Sequence, residues 1–298
     1  MAAVLFEKLL AALIQLPCGP HKAENILNLE QRVRAASAAG ADLILLQELH
    51  NGPYFCQRED PASFELAENI PGPSTDRLGL LAKRNGVVIV ASVFERRATG
   101  LDHNTAVVLD NDGSLAGRYR TMHIPDDPGF YEKYYFTPGD QGFRPIDTSL
   151  GRLGVLICWD QWFPEAARLM TLAGAELLLY PTAIGWDMRD GTDERERQRE
   201  SWLTIQRSHA VANGIPVLCC NRVGFEASPQ EGDPGIQFWG SSFVCGPQGE
   251  WLVRADEQAE ALLVEIDIGR SETVRRAWPF LRDRRIDAYQ GLGKRFLD

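Results

Sequence analysis

Short apolar runs recur along the chain, separated by segments with helical spacing. LLAALIQL (9–16), ADLILLQE (41–48), GVVIVASVFE (86–95), RLGVLICWD (152–160) and AELLLYPTA (175–183) are too short for helices and apolar at consecutive positions. They read as strands buried on both faces. Between them, AENILNLEQRVRAASAAG (23–40) places Ile26, Leu29 and Val33 on one helical face and stops at Gly40. Asp76 to Asn85 reads as a helix ending at Gly86, FPEAARLMTLAG (163–174) as one with Pro164 in its first turn, and 193–213 as a charged amphipathic helix. NTAVVLDNDGSLAGRYR (104–120) predicts a hairpin turning at Asn111-Asp112-Gly113. IPVLCCNRVG, QFWGSSFVCG and EALLVEIDIG complete the strands. Strands alternating with helices define an α/β fold. With no linker and no internal repeat, the 298 residues read as a single domain, 1–298, with about 270–298 as an Arg-rich C-terminal extension.

Charge and cysteine content narrow the function. The net charge of -10 disfavours nucleic acid as a partner and suits a neutral or cationic small substrate. Six cysteines without C-x-x-C spacing read as free thiols in a reducing compartment. Five scattered histidines offer no zinc spacing, so no metal site is expected. No apolar run approaches the roughly 20 residues of a membrane helix. Met1 to Gln15 lacks a basic start and a cleavage signal, so the expectation is a soluble cytoplasmic protein with no membrane partner.

Chemistry in open α/β sheets collects where strands end. Glu48 follows LILLQ, Cys158 follows GVLI ahead of a Pro-started helix, and Pro181-Thr182-Ala183 follow ELLLY. A thiol at a strand-to-helix turn lies near the positive end of a helix dipole, which favours thiolate. The long Pro-, Gly- and aromatic-rich stretch HIPDDPGFYEKYYFTPGDQGF (123–143) has the character of a functional loop. Taken singly, each residue also fits an ordinary role. Cys158, Cys219 and Cys220 fit packed thiols, Glu48 and Glu132 solvated charges, and His123 a satisfied core histidine.

Taken together, LILLQELHNGPYF, RYRTMHIPDDPGFYEKYYFTPGD and GVLICWDQWFPEAARLM resemble the nitrilase superfamily of carbon–nitrogen hydrolases, from about Leu9 to about Asp267. ICWDQWFPEAAR, HIPDDPGFYEKYYFTPGD, GAELLLYPTAIG and NRVG resemble the branch acting on N-carbamoylputrescine. The resemblance implies a four-layer α-β-β-α sandwich, no cofactor, and homo-oligomers, dimers or larger, to which the C-terminal extension with Trp278, Phe280 and Tyr289 contributes. It implies Cys158 as nucleophile, Glu48 as base, and Glu132 orienting a lysine or the leaving amine. The lysine belongs two residues before His123, where this chain has Thr121.

In that scheme an ammonium and the Trp159 N–H hold the oxyanion. Thr121 offers a shorter, neutral donor, so the resemblance implies impaired turnover. The intact neighbouring motifs favour an inactivating substitution made to trap a ligand over a natural variant with reduced or altered activity. Of the five lysines, only Lys133 lies in the loop, already part of the E-K pair. Relatives acting on N-carbamoyl amino acids place Arg three or four residues after the cysteine; Gln161 and Trp162 stand here. Tyr54, Phe130, Tyr131, Trp159 and Trp186 offer aromatic lining for a small cationic carbamoyl substrate, and Asp187 a carboxylate for its distal ammonium. The expected reaction is hydrolysis of N-carbamoylputrescine to putrescine, carbon dioxide and ammonia, in polyamine synthesis from agmatine. The alternatives are a hydrolase of another carbamoyl compound or aliphatic amide, and a catalytically dead binding homologue.

Overall fold

The structure is a computed structural model and describes residues 8–297. Met1 to Glu7, the start of the stretch weighed above as a leader, lies outside the described residues. The first half runs β1 (Lys8–Gln15), α1 (Lys22–Ala38), β2 (Leu43–Leu46), α2 (Pro73–Asn85), β3 (Val88–Ala98), β4 (Leu101–Leu109) and β5 (Leu115–Arg120). The second half runs β6 (Ile146–Thr148), β7 (Gly151–Val155), α3 (Pro164–Leu172), β8 (Leu177–Thr182), β9 (Gly185–Asp187) and α4 (Thr192–Asn213). It continues through β10 (Val217–Asn221), β11 (Val223–Glu226), β12 (Ile236–Trp239), β13 (Phe243–Cys245), β14 (Trp251–Arg254), β15 (Glu260–Asp267) and α5 (Gly269–Ala277).

Two six-stranded mixed sheets result, ordered β15-β1-β2-β3-β4-β5 and β14-β13-β10-β8-β7-β6. Their faces explain the apolar runs. Ala11, Leu13, Leu43, Leu45, Val88 and Val90 point inward and join Val155, Leu177 and Leu179 of the second sheet in one core. The alternate residues Ala12, Ile14, Ile44, Leu46, Ile89 and Ala91 point outward, against Leu29 and Val33 of α1 and Leu78 and Leu81 of α2. A strand covered on both faces must be apolar at every position, because a period-two side-chain pattern sends its residues into two dry layers. On the far side α3 and α4 cover the second sheet with Ala166, Ala167, Met170, Trp202 and Ala210. The architecture is the α-β-β-α sandwich.

Two apolar runs are divided by the structure. IPVLCCNRVG leaves the second sheet after Asn221, and QFWGSSFVCG enters it only at Phe243. Their other halves, β11 and β12, pair with each other, and β12 pairs with β9, in a separate three-stranded sheet. Both breaks occur at one place: Gly240 N–H donates to the Arg222 carbonyl at 3.0 Å, and Ser241 adopts a left-handed φ of 56°. Asn221-Arg222 and Gly240-Ser241-Ser242 interrupt the two runs at this bend, but nothing in the pattern says that the chain changes sheet there.

All six cysteines are unpaired thiols. Among the described residues no helix is long and apolar enough to cross a membrane. After α5 the chain runs on with Trp278, Phe280, Ile286, Leu292 and Phe296 exposed.

Candidate active site

The carboxyl ends of β2, β5, β7 and β8 converge. Glu48 N–H donates to the Thr182 carbonyl at 3.3 Å, joining the end of β2 to the end of β8 in the opposite sheet. Thr121 N–H donates to the Asn104 carbonyl of β4 at 3.0 Å. The loop beyond Thr121 then doubles back, with Gly139 N–H on the Thr121 carbonyl at 2.8 Å. A Cβ at Gly139 would collide with the Arg120 carbonyl oxygen, which is why a glycine stands there. This fold-back carries Glu132 into the interior.

Glu48, Thr121, Glu132 and Cys158 are thus brought together and are all buried. Glu48 Oε1 accepts from Asn104 Nδ2 at 2.5 Å, while Oε2 has no hydrogen-bond partner. The Cys158 thiol lies against this carboxylate and donates weakly to the Ala183 carbonyl at 3.9 Å. Burial pushes the Glu48 carboxyl up to about 7, against the lowering influence of Cys158, Asn104 and Arg222. Burial, together with Glu48, holds the Glu132 carboxyl well above the usual carboxylate range, although Tyr54 donates to Glu132 Oε1 at 2.5 Å.

The thiol expectation needs correction. Cys158 sits at the start of a short 3-10 segment (Cys158–Trp162) with a left-handed φ of 39°. Burial, then the charges of Glu48 and Glu132, push its thiol well above its ordinary value. The local dipole argument pointed to thiolate, but dehydration and two carboxylates outweigh it. A neutral thiol beside a carboxyl poised near neutrality is arranged for proton transfer from sulfur to oxygen.

Asp160 organises the other side of the site, a role the sequence did not disclose. Its fully buried carboxylate accepts from the N–H groups of Ile157 (3.1 Å) and His123 (3.0 Å) and from the Tyr119 hydroxyl (2.9 Å). His123 Nδ1 lies 2.7 Å away, and its ring stacks on Phe163 at 3.7 Å. Thr121 Oγ1 is 3.3 Å from both Asp160 Oδ2 and the His123 carbonyl, so its one proton is already committed. Lys133 is exposed while Glu132 beside it is buried, so its ammonium is not part of the cluster. Cys219 and Cys220 pack within β10.

Above Cys158 opens a cavity of about 620 Å³. Phe130 and Trp159 line it, together with Trp162 and Trp239, and its acidic members are Asp127, Asp187, Asp190 and Glu194 beside Arg197. Tyr54 and Trp186 do not reach its wall. Tyr54 is buried behind it, and Trp186 Nε1 donates to the Arg195 carbonyl at 2.9 Å. Asp187 lines the cavity but is already paired with Arg189, whose Nη2 lies 2.6 Å from Oδ2 and whose charge holds the carboxyl below its ordinary value.

The raised Glu48 value has a consequence for stability. A carboxyl whose folded value lies above its unfolded one, here about 7 against 4.5, contributes fully below the unfolded value. It loses that contribution as pH rises through the folded one, at a cost of roughly 3 kcal/mol. Glu48→Gln is therefore expected to melt at a higher temperature than the unsubstituted chain at pH 8, with the advantage shrinking toward pH 5. Paired thermal scans at the two pH values check this; an advantage independent of pH would contradict it.

Known proteins resemble this chain over most of its length. The carbon-nitrogen hydrolase family profile matches residues 10–276. The N-carbamoylputrescine amidase of Solanum lycopersicum is 45% identical over 285 residues, 94% of this chain and 93% of the relative. The citrullinase of Francisella tularensis is 39% identical, covering 96% and 98% respectively. The crystal structure of a carbon-nitrogen hydrolase from Helicobacter pylori superposes with a TM-score of 0.95 at 50% identity, over 97% of this chain and all of that one. The profile spans most of the chain, the relatives match it nearly end to end, and the sandwich is common to the solved structure: the chain belongs to the carbon-nitrogen hydrolase family and is an amidohydrolase of the nitrilase superfamily.

Proposed function

We propose that the chain hydrolyses the ureido C–N bond of N-carbamoylputrescine, releasing putrescine, carbon dioxide and ammonia. The observation that carries this reading is the cavity over the buried Cys158–Glu48 pair, whose lining combines aromatic side chains with the carboxylates of Asp127, Asp187, Asp190 and Glu194. An alkylammonium chain suits such a lining.

Glu48 Oε2 takes the thiol proton as sulfur attacks the ureido carbon. The developing oxyanion is met by the Trp159 N–H, at the start of the 3-10 segment where backbone donors lack internal acceptors. Glu48 returns the proton to the departing amine nitrogen, leaving a carbamoyl group on sulfur. It then deprotonates the water that releases carbamic acid, which breaks down to carbon dioxide and ammonia. Glu132, anchored by Tyr54, supports the pair from the loop. Thr121 contributes little to the oxyanion because its hydroxyl is engaged, so turnover is reduced. Release of putrescine places the reaction in polyamine synthesis from agmatine. The exposed aromatics after α5 support a homo-oligomer built through the C-terminal extension of one catalytic domain.

Asp187 is assigned to the distal ammonium. Its pairing with Arg189 does not oppose this, since a solvent-exposed pair is worth only about 0–1 kcal/mol and exchanges readily. Asp187→Ala is expected to raise KM for N-carbamoylputrescine about tenfold while kcat changes little. An unchanged KM would count against the assignment. The Arg189 guanidinium also favours a second reading, a ureido α-amino acid such as citrulline, with its ammonium on Asp187 and its carboxylate on Arg189. Comparing kcat/KM for N-carbamoylputrescine and citrulline decides between them. The first reading requires the diamine derivative to be preferred and Arg189→Ala to leave it unharmed.

A further inference from the structure

Arg222 has no part in the scheme above, yet its guanidinium is fully buried beside the site. Its Nη2 donates to the carbonyls of Glu48 (3.2 Å) and Leu49 (2.8 Å). Its Nη1 donates to the Gly52 carbonyl (3.0 Å) and pairs with Glu226 Oε1 at 2.5 Å. Glu226 Oε2 in turn accepts the Tyr54 N–H at 2.6 Å, and Tyr54 carries the hydroxyl bonded to Glu132. Arg222 therefore grips the segment from Glu48 to Gly52, and its partner Glu226 holds the Tyr54 end. That segment needs gripping. Leu49 has a left-handed φ of 46°, a strained conformation for a branched residue, held otherwise by its N–H on Ser92 Oγ at 2.8 Å. The guanidinium is itself fixed from outside the segment, by Arg222 N–H on the Thr182 carbonyl (3.1 Å) and by the Phe238 ring 5.4 Å from Cζ.

We infer that Arg222 is the positioning residue of this enzyme: its planar fork sets the Leu49 turn, and through it the place and orientation of Glu48 against the Cys158 thiol. The inference rests on the reading of Glu48 as base. A lysine could carry the charge but not the fork, since a single ammonium cannot reach three carbonyls and a carboxylate in a plane. The titratable groups acting on or sensing Glu48 are Cys158, Glu132, Tyr54, Cys56, Cys219 and Arg222, of which Arg222 alone is a cation. Removing it shifts Glu48 upward as well as loosening it.

The test follows alkylation of Cys158 by iodoacetamide as a function of pH, read by peptide mass spectrometry on the full chain, so that it does not depend on turnover. Three forms are compared with the unsubstituted chain: Arg222→Lys, Arg222→Met/Glu226→Gln and Glu48→Gln. The double variant removes both buried charges together and keeps an acceptor for the Tyr54 N–H, which protects folding. Arg222→Lys is expected to slow alkylation about tenfold across the pH range. The double variant is expected also to move the inflection upward by about one pH unit, and Glu48→Gln to abolish it. If the Arg222 variants only melt earlier, with rate and inflection unchanged, Arg222 is structural and the inference is overturned while Glu48 stands. If Glu48→Gln retains the inflection, the assignment of the base fails, and the inference with it.

Discussion

Thr121→Lys is expected to raise kcat by about 10²- to 10³-fold with little change in KM. The buried site gathers the carboxyl groups of Glu48, Glu132 and Asp160, while the hydroxyl of Thr121 has spent its proton between Asp160 and the His123 carbonyl. A negative charge developing on the substrate oxygen therefore meets no charged donor from position 121. An ammonium there brings three donors and a full charge into a dehydrated site, where its interaction with an oxyanion is strongest. The interaction exists only as the oxyanion forms, so it acts on kcat and leaves substrate binding nearly alone. Thr121→Met, similar in length but uncharged, is the control and is expected to gain nothing. The cation also lowers the Glu48 carboxyl from about 7, so the acid limb of the pH–rate profile moves down in the lysine form. Equal turnover by the threonine and lysine forms would remove position 121 from the account of catalysis.

Cys158→Ala, made in the Thr121→Lys form where turnover is easily measured, is expected to lose on the order of 10⁵-fold in kcat. Without sulfur there is no covalent carbamoyl intermediate, and Glu48 has no proton to take. Cys158→Ser is expected to fail almost as completely. A serine hydroxyl is a far weaker acid than a thiol, and a carboxylate near 7 cannot deprotonate it usefully. Cys158 itself apart, the cavity lining is unchanged by either substitution, so both variants are expected to bind N-carbamoylputrescine in a calorimetric titration. Quenched mass spectrometry is expected to find a carbamoyl group on Cys158 in the lysine form and none in the alanine variant. Substantial turnover by Cys158→Ala would reject the thiol mechanism outright.

Much of the fold was legible because it is written at short range. A strand between two dry layers needs an apolar residue at every position, and ADLILLQE and AELLLYPTA state that directly. Asn111-Asp112-Gly113 marks the hairpin between β4 and β5, and Gly86 ends α2 in a left-handed conformation. The division of two runs between sheets was not legible: Asn221-Arg222 and Gly240-Ser241-Ser242 mark a break, but a polar break does not say that the chain leaves one sheet for another.

The site divides in the same way. Motifs fixed which residues were candidates: Glu48, Glu132 and Cys158 each stand out by type and by place at a strand end or in a long loop. Asn104 carries no such mark, and Arg222, though it stands in NRVG at the end of β10, is not singled out as a partner of Glu48. They lie 56 and 174 residues from Glu48, and only folding brings their hydrogen bonds to its carboxylate and its carbonyl. Protonation was the point at which local reasoning failed. The turn at Cys158 argued for thiolate, yet the thiol is pushed up by burial and by Glu48, from the end of β2, and Glu132, from the long loop. Side-chain type and local period were enough to state the alternation of strands and helices, and the resemblance of the motifs to a known family pointed to the sandwich and to Cys158 and Glu48 as candidates. The tertiary structure alone decided which carboxyl is poised to take a proton, what Thr121 is bonded to, and what holds Glu48 in place. Desolvation and charge–charge distance belong to the assembled interior and to no segment of the chain.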